Sequence, residues 1–88
     1  MYAVTYTDKA VKELQKMDRQ IAAMIIGWID KNLNGCENPR LHGKALTHTL
    51  KGYWRYRVGN YRLIADIQDS LLVIEIIRAG HRREVYNE

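Results

Sequence analysis

The sequence predicts an α+β domain in which two N-terminal helices pack on one face of a small, mostly antiparallel four-stranded sheet. Three observations carry that expectation. Apolar residues recur at helical spacing up to Leu33, whereas alternating, β-prone stretches dominate after Gly52. Gly59-Asn60 lies between two such stretches as a two-residue hairpin signal. The 88 residues suit one domain, spanning 1–88, with a modest core.

The elements follow in order. Tyr2, Val4 and Tyr6 alternate with small or polar residues and predict a short strand. Thr7 or Asp8 caps a helix in which Ala10, Val11, Leu14 and Met17 form the apolar side, with Lys9, Lys12, Glu13 and Lys16 outside. Asp18 caps a second helix with a strong apolar stripe through Ile21, Met24, Ile25, Trp28, Ile29 and Leu33. Ala22 and Ile26 widen the stripe, which predicts a well-buried helix ending at Asn34-Gly35. Gly27, inside it, marks an expected close helix–helix approach. Residues 35–52 read as irregular, punctuated by Pro39, Gly43 and Gly52. Three strands follow: Tyr53 to Val58, Tyr61 to Gln68 and, after an Asp69-Ser70 turn, Leu71 to Ala79. Gly80 ends the last, leaving a tail from His81 to Glu88. Runs of strands after runs of helices place the helix pair on one sheet face and leave the other open to solvent or ligand.

The net charge of +4 is unevenly distributed. No acidic residue stands between Glu37 and Asp66, a stretch that holds Arg40, Lys44, Lys51, Arg55, Arg57 and Arg62 with His42 and His48. Arg78, His81, Arg82 and Arg83 form a second cluster. Clustering of this kind is the electrostatic footprint of a polyanion or an acidic partner.

The hairpin sharpens that reading. A tight turn at Gly59-Asn60 puts Arg57 opposite Arg62 and Arg55 opposite Ile64, so that Arg55, Arg57 and Arg62 share one face. Trp54, Tyr56, Val58, Leu63, Ala65 and Ile67 fall on the other, suited to packing under the helices. Like charges directly opposite each other destabilise a sheet. An anion between the arginines relieves that repulsion, and the planar guanidinium fork suits phosphate. The tail leaves a strand beside the hairpin, within reach of this same face, although spacing alone reads His81 and Tyr86 as ordinary surface residues. His81 offers a group that takes or gives a proton near neutral pH, and Tyr86 offers a ring that stacks on a base or takes part in proton transfer.

Other classes are excluded. There is no run of about 18 apolar residues for a membrane span, and the N-terminus does not read as a signal peptide, so the expected location is the cytosol. Cys36 is the only cysteine and reads as a structural or incidental thiol. His42 and His48 lack partners for a metal site. No phosphate-cradling glycine loop, HExxH or GxSxG is present. No cofactor is expected.

The stretch from Gly52 to Ile64, with W-R-x-R-V-G-x-Y-R at its centre, resembles the RelE/ParE toxin superfamily of type II toxin–antitoxin systems. So does Ile76 to Tyr86, which contains G-H-R-x-x-x-Y. The opening segment Tyr2 to Met17 and the segment Pro39 to Leu50 are similar to the family too. The resemblance implies a RelE-like, microbial-RNase-like toxin fold and the RelE branch's activity: metal-independent endoribonuclease cleavage of mRNA in the ribosomal A site, by 2′-hydroxyl attack on the adjacent phosphate, which inhibits translation. It implies a cognate antitoxin that wraps the toxin, operator DNA reached only through the antitoxin complex, and no membrane partner. Carried onto this sequence, the catalytic positions are Arg62, Arg82, His81 and Tyr86, with Arg55, Arg57, Lys44, Lys51 and Arg83 binding RNA. Arg62 and Arg82 stabilise charge on the phosphate. Arg55 and Arg57 hold the backbone and help place the leaving oxygen. Tyr86 stacks on a base or helps activate the 2′-hydroxyl, and His81 is the one conventional acid or base. The rival expectation is the ParE branch, which shares the fold, binds DNA gyrase and does not cut RNA.

Overall fold

The computed structural model describes residues 1–84. Its elements are β1 (Ala3–Tyr6), α1 (Asp8–Lys16), α2 (Arg19–Asn32), β2 (Gly43–Ala45), β3 (Trp54–Val58), β4 (Tyr61–Gln68) and β5 (Val73–His81), with 3-10 turns at His48–Leu50 and Asp69–Leu71. The sheet has five strands in the order β1-β5-β4-β3-β2. β1 runs parallel to β5, and the other neighbours are antiparallel. The expectation of four strands is thus corrected to a mixed sheet of five. The added strand is β2, whose three residues are too short to show an alternation.

Caps define both helices. Thr7 Oγ1 accepts the Ala10 N–H at 3.1 Å, and Asp18 Oδ2 accepts those of Gln20 and Ile21. The helices cover one sheet face, burying Ala10, Leu14, Ile25, Ile29 and Leu33 against Tyr56, Val58, Leu63, Ala65, Ile74, Ile76 and Ala79. Two expectations for α2 fail. Ile26 and Met24 stay 39% and 47% exposed, because a short helix lying on a sheet has one contact side and the widened stripe exceeds it. Ala22 and Ile26 line an open apolar groove with Val11 and Leu14 of α1 and with Met17, which follows it. Gly27 is exposed with no neighbour near its missing Cβ, so it marks no close approach.

Gly43 does meet a steric demand. A Cβ there would stand 3.0 Å from the Tyr56 ring and 3.2 Å from that of Trp54. The Tyr56 hydroxyl donates to the Pro39 carbonyl inside the core, and burial pushes its pKa above the ordinary tyrosine range. Gly59 has φ +59° while Asn60 does not enter the left-handed region, the pattern of a type II′ hairpin turn. The last strand begins later than expected, after a left-handed Leu72, and runs through Gly80 to His81. Gly80 does not end it because β4 still supplies partners: Arg62 for Gly80 and Tyr61 for His81.

Candidate functional site

The hairpin register is the one the sequence predicts. Arg57 pairs with Arg62, Arg55 with Ile64 and Val58 with Tyr61. Arg55, Arg57 and Arg62 therefore share the face away from the helices. Lys44 joins them, since β2 sets it beside Arg55. Arg57 and Lys44 are exposed, while Arg55 and Arg62 are half-buried with their Nε atoms covered. Half-burial fixes where a guanidinium can point and limits its screening by water.

The face is polar along its length. Down β4, Arg62, Ile64 and Asp66 point the same way, which gives cation, hydrocarbon and anion in sequence. Ile64 is buried under Leu46, with Leu50 and Tyr53 packed against the pair, so the loop between β2 and β3 lies on this face. Lys51 rides on that loop and is exposed. Asp66 is registered with Glu75 at the far end. Sequence reading singled out neither the apolar patch nor the acidic end, although the alternation Arg62, Ile64, Asp66 was a signal for both.

Two cations of the basic clusters are committed elsewhere. Arg40 forms a two-point contact with Asp69 at 2.8 and 3.1 Å and lies 5.4 Å from the Trp54 ring centre. Hydrogen bonds from Arg40 and Tyr2 hold the Asp69 carboxyl at about 2. Arg78 pairs with Glu13 of α1 at 3.0 Å. Glu13 Oε1 also accepts the Ala79 N–H. It stands in for a strand at the stretch of β5 that the short β1 leaves unpaired. His42 meets the Trp28 ring at 6.1 Å, on the helix side, and so does not join the arginine face.

β5 carries a bulge: Ile64 pairs with Arg78 and Ala65 with Ile76, which leaves Ile77 extra. Past the bulge the alternation is reversed. Ala79 is buried in the main core and His81 sits with Tyr61, the ring centroids 5.6 Å apart. The expectation that His81 reaches the arginine face is therefore corrected. It lines a depression on the helix side with Lys16, Asp18 and Glu84. Arg82 follows the strand in a turn, where its N–H donates to Asn60 O at 3.0 Å beside the hairpin loop. Arg83 is exposed in the terminal turn, and Tyr86 lies outside the described residues. Among the described residues no three His, Cys, Asp or Glu side chains group as metal ligands, and no helix is long and apolar enough to cross a membrane.

The fold matches a chain of the toxin–antitoxin complex RelBE2 of Mycobacterium tuberculosis with a TM-score of 0.84 at 32% identity, over 92% of this chain and 98% of that one. It matches the isolated RelE toxin of Escherichia coli with a TM-score of 0.72 over 100% of this chain and 88% of that one, a likeness of fold at 19% identity. Toxin RelG of M. tuberculosis is 32% identical over 85 residues, 97% of this chain and 95% of the relative. Residues 4–86 match the family model described as the ParE toxin of the type II toxin–antitoxin system, parDE. The chain belongs to the RelE/ParE superfamily and is a toxin of the type II toxin–antitoxin class.

Proposed function

We propose that this toxin is a ribosome-dependent mRNA endoribonuclease that a cognate antitoxin holds inactive. One observation carries the reading: Lys44, Arg55, Arg57 and Arg62 converge at the hairpin end of one sheet face, and the carboxylates of Asp66 and Glu75 stand at the other end. A phosphodiester backbone is drawn to the first end and repelled from the second.

The 2′-oxygen of one nucleotide attacks the adjacent phosphorus, and the 5′-oxygen of the next leaves. Arg62 and Arg82 stabilise the charge that gathers on the phosphoryl oxygens. Arg55 and Arg57 hold the flanking backbone and aid the leaving oxygen, and Lys44, Lys51 and Arg83 add attraction along the strand. Arginine stays protonated and makes a poor base. With His81 on the opposite face, Tyr86 is the group left to activate the 2′-hydroxyl or to stack on a base. The rate then rests on orientation and electrostatic stabilisation. No metal or other cofactor is invoked. The antitoxin is proposed from the complexes in which such relatives are solved, among them RelBE2 of M. tuberculosis and the RelE–RelB complex of Pyrococcus horikoshii. Operator DNA is reached through that complex.

Primer extension on mRNA translated in vitro tests the reading. Wild-type protein is expected to produce sharp new 5′ ends within codons, and Arg62→Ala to lose them. The family model's ParE description favours a second reading, a gyrase inhibitor without RNase activity. Intact mRNA together with inhibited DNA supercoiling would establish that reading and reject the first.

A further inference from the structure

Three successive backbone N–H groups leave the end of β5, and each meets an acceptor. Arg82 N–H donates to Asn60 O at 3.0 Å and Glu84 N–H to His81 O at 2.8 Å. Between them, Arg83 N–H donates to His81 Nδ1 at 3.3 Å. The imidazole is held edge-on against Tyr61, its register partner on β4, with an interplanar angle of 79°. A side-chain acceptor on residue i for the N–H of residue i+2 is the arrangement of an Asx turn. Here a histidine fills the role of asparagine or aspartate.

We infer that His81 is a positioning residue: its neutral imidazole closes the turn that carries Arg82 beside the hairpin loop, and protonation of the ring opens that turn. An imidazole accepts at Nδ1 only when that nitrogen carries no proton, and the imidazolium has no acceptor at all. The charged ring also has alternatives nearby. Among the described residues, the titratable groups that line the depression with it are Tyr61 of β4, Glu13 and Lys16 of α1, Asp18 at the cap of α2, Arg78 of β5 and Glu84 of the tail. Glu13 and Arg78 are already paired with each other. Asp18 already caps α2 through Oδ2, and Glu84 remains as the carboxylate toward which an imidazolium swings, away from the Arg83 N–H. The turn matters because position 82 is the first beyond the strand. Without the His81 bond, the turn around Arg82 keeps its backbone bonds from Arg82 N–H to Asn60 O and from Glu84 N–H to His81 O but loses the one side-chain acceptor that fixes the Arg83 N–H between them.

The inference rests on the RNase reading for its effect on rate, so the test has a structural arm that needs no RNA. In NMR spectra of the full-length free toxin, the Arg83 amide proton is expected to shift upfield and exchange faster as the His81 ring takes up its proton. His81→Asn keeps a side-chain acceptor without a titrating group. It is expected to hold the Arg83 amide at every pH, to cleave within about threefold of wild type, and to lose the wild-type fall in rate on the acid side. His81→Phe keeps a ring against Tyr61 but no acceptor, and is expected to cleave about tenfold more slowly at all pH. An Arg83 amide indifferent to protonation of the ring overturns the inference. So does an Asn variant as slow as the Phe variant, which would mean that His81 itself handles a proton. A wild-type toxin that cuts no mRNA sinks the RNase reading alone, and the amide titration still decides the role of His81.

Discussion

On the helix side of the sheet, Tyr56, Leu63, Ala65, Ile74 and Ile76 are completely buried. On the other side the same strands carry Arg55, Arg57, Arg62 and Asp66, and Ile64 is the one fully covered residue of their hairpin there. Two faces of one backbone, separated by alternation alone, thus carry opposite physics. Burial of hydrocarbon stabilises the first, while on the second like charges are registered directly against each other, Arg57 with Arg62 and Asp66 with Glu75, at a cost to the sheet. A small domain tolerates such repulsion on one face when the other is densely packed. The contrast teaches where a substitution should act: stability on the helix side, ligand binding on the open side.

Core truncation should have the largest effect. Ile76→Ala, at a position with no exposed surface, is expected to cost about 2–5 kcal/mol in urea unfolding. In a domain of this size such a loss approaches the whole stability. Retention of a wild-type midpoint would break the comparison. Next comes the seam between the faces. Glu13→Ala removes the acceptor of the Ala79 N–H and the partner of Arg78, and should cost about 1–3 kcal/mol by thermal or urea unfolding. Its effect should exceed that of any single substitution among the exposed basic residues.

The open face should respond with the opposite sign. Arg57→Thr removes half of a like-charge pair at an exposed position. It is expected to raise stability by about 0.2–1 kcal/mol at low salt, an increment that fades as salt is added, while RNA binding weakens. A destabilised Arg57→Thr would mean that the guanidinium packs rather than repels. The smallest effect belongs to the exposed link that ties the β4–β5 turn to the loop before β2. Arg40, and after it Tyr2, holds the Asp69 carboxyl at about 2 against an ordinary 3.8. A carboxylate whose folded pKa is depressed adds stability above its unfolded pKa and loses it as the pH falls through the folded one. Asp69→Asn should therefore flatten the acid limb of the unfolding midpoint between pH 4 and 2, most clearly at low salt. An unchanged acid limb would show that the link contributes nothing in solution.

Much of this molecule is legible in its residues. The two-residue turn at Gly59-Asn60 fixed the register of β3 and β4, because a pleat of period two leaves no freedom once the turn length is known. Thr7 and Asp18 placed both helix starts, because their side chains serve backbone donors two or three residues away. The clustering of Arg55, Arg57 and Arg62 on one face followed from those local rules. What involved distant parts of the chain was not legible. β2 is a strand because Gly43 lets the Tyr56 and Trp54 rings approach its backbone, and no local pattern marks that. Met24 and Ile26 carry the apolar periodicity of a buried stripe, but burial depends on what lies opposite, and among the described residues nothing covers them.

The decisive case is the bulge at Ile77. Counted from the apolar run Val73 to Ile76, strict alternation would turn His81 to the side of Arg62 and Arg78 to the core. One extra residue reverses both and seats Ala79 under the helices. The sequence by itself determined the helix pair, the hairpin and the charge of the open face, because each follows from contacts within a few residues. Tertiary structure alone decided which way His81 turns, because a bulge gains its stability from the packing of Ile76 and Ala79 on either side of it and from the Glu13 contact, not from its own residue.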